Sequence, residues 1–190
     1  MNASPARAFG VSVGACEAGW IDLLLRAGPQ ERVVHFSAVF DPLPELLAWL
    51  EAVVLGARES AFSFDEEGRV CTFRMTRLEA LPDRADGVLF TVRDDACGER
   101  AESAWSVEVP RRALVRAMYG SITAFARSDR FDPREWDALR VGDDSSDEAW
   151  ALGAGHGGTP LAGWRSERVE RWLACGAGGN VPIIAAWKRP

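Results

Sequence analysis

Histidine is scarce in this chain of 190 residues: His35 and His156 are the only two, and neither has a partner at helical or Cys-x-x-Cys-like spacing. A metal site would have to be completed by carboxylates or isolated thiols, so no metal and no cofactor is expected. The four cysteines, Cys16, Cys71, Cys97 and Cys175, are scattered and form no Cys-x-x-Cys pair, which leaves buried free thiols as the expectation. Long apolar runs are missing as well. None approaches the length of a membrane span, and no basic N-terminal segment leads into one, so a cytoplasmic location is expected. Positive charge is short: 22 Lys and Arg stand against 28 Asp and Glu, a net charge of −6. No basic field is available to neutralise phosphates or to dock on anionic lipid, which argues against nucleic acid and membrane surfaces as partners. Lys188 is the single lysine, a bias that reflects genome composition rather than a designed anion site.

Hydrophobic residues make up 47% of the chain and charged residues 26%, values typical of a folded globular domain. The length fits one domain with a decorated end. Trp20 to Arg26 and Arg32 to Phe40 flank the pair Gly28-Pro29 and read as a hairpin. In the second run Val34, Phe36, Ala38 and Phe40 are expected to face the core, with Val33, His35, Ser37 and Val39 on the other side. Asp41-Pro42 then starts a helix whose stripe is Leu43, Leu46, Leu47, Leu50, Val53 and Val54, closed by Gly56.

Period two returns from residue 60 to residue 109, at Phe62 and Phe64, Cys71 to Met75, Val88 to Val92, and Trp105 to Val109, and predicts four further strands in a meander. Glu66-Glu67-Gly68 makes the first connection tight, and Asp94 to Glu102 makes a longer, charged loop. Pro110 opens a second helix with Leu114, Val115, Met118, Ile122 and Phe125 inward. Arg111 and Arg112 in its first turn oppose the helix dipole, which a nearby sheet carboxylate, solvent exposure or a partner's carboxylate would offset. Asp132-Pro133-Arg134-Glu135 has the form of a capping box before a short helix carrying Trp136 and Leu139. A last helix is expected at Ser166 to Cys175, with Val169, Trp172 and Leu173 inward. The resulting fold class is α+β: an antiparallel sheet of about six strands with helices on one face. Residues 1–17 form an N-terminal segment expected to be flexible, 18–140 the core domain, and 141–190 a glycine- and tryptophan-rich extension packed on it.

Two motifs suggest chemistry and lack its context. Gly10-Val11-Ser12-Val13-Gly14 satisfies G-x-S-x-G, but a nucleophile elbow needs a buried strand before the serine and a helix after it. Gly153 to Gly158 matches G-x-G-x-x-G without a βαβ unit around it, so a surface loop explains it better. Asp94-Asp95 and Asp143-Asp144 are expected in solvated loops. The acidic run Asp143, Asp144, Asp147 and Glu148, with Trp150 and His156 beside it, supplies the candidate binding residues. Five of the eight tryptophans fall in the last 55 residues, where they serve either as anchors for a glycine-rich covering segment or as an interface.

The order of hairpin, Asp41 to Leu47 helix start, Phe62 to Gly68 hairpin, further strands and helix resembles a set of small bacterial proteins of uncharacterised function, some of them suspected immunity proteins of toxin systems. The resemblance spans roughly residues 18–128 and carries no catalytic motif. No catalytic constellation emerges from the residues either. The leading expectation is therefore a non-catalytic protein-binding module, an immunity-like inhibitor of a basic partner. The alternatives are an enzyme or small-molecule-binding protein whose pocket lies under the glycine-rich segment, with His35 or His156 as its polar group, and an accessory subunit or homo-oligomer without a ligand.

Overall fold

Two stretches of alternating hydrophobicity on either side of a helix fold into two antiparallel meanders. The computed structural model describes residues 8–78, 86–96, 104–137 and 161–175. The first sheet is β1 (Phe9–Glu17), β2 (Trp20–Ala27) and β3 (Gln30–Ser37), paired in that order. Helix α1 (Leu43–Val54) crosses to the second sheet, β4 (Glu59–Asp65), β5 (Arg69–Arg77), β6 (Gly87–Ala96) and β7 (Ala104–Pro110). Helices α2 (Arg111–Ala126), α3 (Pro133–Asp137) and α4 (Glu167–Ala174) complete an α+β fold. Helix α1 packs on β4, and α2 lies along β1 and touches β7.

The expected flexible segment is corrected over residues 9–17, which pair with β2 as a full strand. Its register slips by one residue between Val13 and Cys16, a bulge that lets both side chains turn into the core. The turn that follows holds Ala18 at φ 47° and Gly19 at φ 79°. It is fixed from α3, where the Glu135 carboxylate accepts from the Ala18 N–H at 3.0 Å and the Glu135 carbonyl from the Gly19 N–H at 2.7 Å. Glu135 therefore does not complete a capping box. Asp132 accepts from the Arg134 N–H instead, at 2.9 Å.

Val34, Phe36 and Ala38 are buried as expected, but Phe40 is half exposed, because the chain leaves the strand at Ser37 for a 3-10 turn and the two-residue period lapses. Asp41 accepts from the Leu43 N–H at 3.2 Å at the start of α1. The far end closes with Gly56 at φ 84°, its N–H donating to Val53 and that of Ala57 to Ala52, the paired contacts of a Schellman motif. Trp49, which the leucine stripe had not included, is buried in place of Leu47. It sits within 5.8 Å of Phe62 and of Phe90 and within 6.2 Å of Phe73, and its indole N–H donates to the Ser60 carbonyl. Phe36 against Phe64 at 5.1 Å and Phe9 against Phe90 at 5.9 Å extend this aromatic seam between the two sheets.

Arg111 finds its carboxylate in Asp86, at 2.7 Å, just before β6. Arg111 and Arg112 also stack against Trp172 of α4, at 5.1 and 5.2 Å. Ser166 caps α4 by accepting from the Val169 N–H. Trp164 donates to the Leu43 carbonyl at 2.8 Å, so α4 and the turn before it are tied to both α1 and α2. Trp136, Trp164 and Trp172 are all buried, which fits anchoring, one of the two roles expected of the late tryptophans.

Candidate functional site

The sheet β1-β2-β3 has one face in the core and one outward, because a strand turns alternate side chains to opposite sides. Ile21, Leu23, Leu25 and Ala27 of β2 go inward and are buried, which leaves Trp20, Asp22, Leu24 and Arg26 outward. The register aligns these in rows across the sheet: Gly10, Arg26 and Glu31; Ser12, Leu24 and Val33; Asp22 and His35; Glu17, Trp20 and Ser37. Ser12, Glu17, Asp22, Arg26, Glu31, Val33 and His35 are exposed. Half-buried Leu24 with Val33 at 44% exposure, and half-buried Trp20 in the end row, put apolar surface on both sides of the Asp22–His35 row.

Carboxylates are the commonest charged groups on and beside it. Glu17, Asp22 and Glu31 lie on the face, and Glu66 and Glu67 reach its rim from the β4–β5 turn. Glu66 accepts from the His35 N–H at 2.8 Å and Glu67 from the Ser37 hydroxyl at 2.8 Å. Two side chains answer them: Arg26, paired with Glu31 at 2.7 Å, and His35, whose Nδ1 lies 2.7 Å from Asp22. His35 thus occupies the less apolar face, as its position in the alternation predicts. Ser12 lies in mid-strand with no turn or helix after it, and the G-x-S-x-G segment is an ordinary part of β1.

Behind the rim, Asp94 of β6 is buried and receives Arg32 of β3 and Arg69 of β5 on one carboxylate oxygen. This corrects the expectation that Asp94 lies in a solvated loop: β6 runs on through Ala96, and its pairing with β5 carries Asp94 opposite Cys71. Asp95 points the other way and is exposed, since neighbours in a strand face opposite sides. Burial, and next the Glu66 carboxylate, push the Cys71 thiol up to about 12, so it stays protonated at neutral pH and offers no nucleophile. Cys175, expected among the buried thiols, is exposed because α4 ends just before it.

The candidates Asp143, Asp144, Asp147, Glu148, Trp150 and His156 lie outside the described residues, as do Gly153 to Gly158, Leu139, Cys97 and Trp187. The outward face was missed as a site, although its signal was present in the alternation of Trp20, Asp22, Leu24 and Arg26. Among the described residues no group of three or more His, Cys, Asp or Glu is placed to hold a metal ion, and no helix is long and apolar enough to cross a membrane.

No protein-family model and no curated protein matches the chain. A solved structure of the plant transcriptional regulator PBF-2 aligns at a TM-score of 0.27 and 10% identity, covering 70% of this chain and 86% of that one. A likeness of that size carries no functional argument.

Proposed function

We propose that this chain is a non-catalytic binding protein, an immunity-like inhibitor that docks a basic partner protein on the outward face of β1-β2-β3. The observation that carries this reading is the composition of that face. Trp20, Leu24 and Val33 supply apolar surface on either side of the Asp22–His35 row, and the carboxylates Glu17, Asp22, Glu31, Glu66 and Glu67 outnumber Arg26. Aromatic and apolar side chains set among polar ones are general features of a protein interface, and an excess of one charge selects partners of the other. The net charge of −6 acts in the same direction at longer range. The His35–Asp22 pair lies within this face, between its apolar positions.

The test is native mass spectrometry of tagged protein purified from its own host at low salt, beside a variant with Glu17→Gln, Asp22→Asn and Glu31→Gln. A stoichiometric basic protein is expected on the wild type and lost from the variant and at high salt, and adding the wild type back should suppress that partner's activity. Equal retention by the variant would refute the face as the docking surface.

A further inference from the structure

A sheet of three strands has two edges, and they are treated differently here. The β1 edge is closed: the Ser121 hydroxyl donates to the Val11 carbonyl at 2.7 Å, Arg130 donates to the Val13 carbonyl at 2.9 Å, and the Cys16 N–H donates to the Arg130 carbonyl at 3.3 Å. The β3 edge is closed only at one end. The His35 N–H points away from β2, because Glu66 accepts it, and Ser37 is held by Glu67. In an antiparallel ladder the outward groups recur every second residue, so the N–H and C=O of Val33 and Glu31 point outward too. Among the described residues these groups have no main-chain or side-chain partner. Unpaired edge groups of this kind are a template for a further strand.

We propose that this open stretch of β3 receives an extended basic segment of the partner as a fourth strand. This rests on the reading of the face as the partner's docking surface and adds the manner of engagement. The main chain of the incoming segment pairs with Glu31 and Val33, while its side chains follow the pattern of the sheet they join. The residue beside Val33 is apolar, extending the row of Leu24 and Val33. The residue beside Glu31 is lysine or arginine, sharing a carboxylate that Arg26 already holds through one oxygen. Glu66 and Glu67 stop the segment at His35 and attract its next cationic group. Main-chain bonds supply the hold and the alternating side chains the selectivity, as in other cases of strand addition.

The experiment uses the full chain and an eight-residue peptide, Thr-Lys-Thr-Val-Thr-Lys-Thr-Val, whose lysines and valines alternate along one face, beside the same peptide N-methylated at its lysine and valine amides. Binding of the unmethylated peptide is expected to slow amide exchange at Val33 and Glu31, and N-methylation to weaken binding about tenfold or more, since two or more hydrogen bonds are removed. Val33→Pro deletes one outward N–H without touching the ladder to β2, and should weaken the unmethylated peptide about fivefold, less than N-methylation does, since one hydrogen bond is removed. Equal binding of the two peptides to the wild type overturns the proposal without reference to any variant's folding. So does binding without protection at Glu31 and Val33, or no binding at all. If the neutral variant of Glu17, Asp22 and Glu31 loses the natural partner while the wild type binds both peptides equally, the face stands as the docking surface and strand addition falls.

Discussion

Changing Asp94 to Asn keeps the shape of the side chain and removes its charge. Asp94 is 6% exposed and holds Arg32, 23% exposed, and Arg69, 49% exposed. Breaking a fully buried ion pair by neutralising one partner costs about 3 to 5 kcal/mol, because the other charge is left desolvated and unpaired. Arg69 is half in water and loses little. Arg32 is mostly covered and carries the greater part of the penalty, although its partial exposure lowers it. About 2 to 3 kcal/mol is the expected cost of Asp94→Asn, read as a shift in urea midpoint at constant slope. Arg32→Met removes the stranded cation, so the double variant should be less destabilised than the sum of the singles by about 1 kcal/mol or more. Arg69→Met, removing a half-exposed partner, should cost less than about 1 kcal/mol. Additive behaviour of Asp94→Asn and Arg32→Met, or a loss under about 0.5 kcal/mol for Asp94→Asn, would show that the two sheets are not coupled through this corner.

Leu50 is fully buried on α1 and Leu47 only partly, so Leu50→Ala should cost about 2 to 5 kcal/mol and Leu47→Ala distinctly less. Equal losses in urea melts would mean that the helix is rotated from the position described. Glu170 is held below its ordinary value, chiefly by the hydrogen bonds from Arg165, which bind both carboxylate oxygens at 2.7 and 2.8 Å. A lowered carboxyl favours the folded state above its unfolded value near 4.5, and that contribution fades as the pH falls through the folded value. Thermal melts from pH 6 down to pH 3 should therefore decline less steeply for Glu170→Gln than for the wild type, and superimposable slopes would remove Glu170 from the account of acid stability.

Much of the fold was legible because it is written in local pattern. The period-two runs around β2, β3 and β4 to β7, the Asp41-Pro42 start of α1 and the Gly56 end each depend on residues a few positions apart, and each formed where the pattern placed it. Hydrophobic alternation also contained the outward face of β2 and β3, since a strand with one buried side must show the other. What the pattern could not supply is which element lies opposite which. The leucines of α1 are alike in sequence, yet Leu50 is buried and Leu47 is not, because Trp49 fills the space over the aromatic seam. Asp94 reads as a loop residue among its charged neighbours, and becomes a buried partner only because β3 brings Arg32 to it across 62 positions. Glu135 satisfies a local capping rule on paper, and is taken instead by a turn 117 residues earlier, whose two amides need an acceptor. Local geometry determines elements because backbone sterics and capping act over a few residues. Burial and ion pairing depend on contacts between distant parts of the chain, and those exist only once the two sheets and their helices have closed on one core.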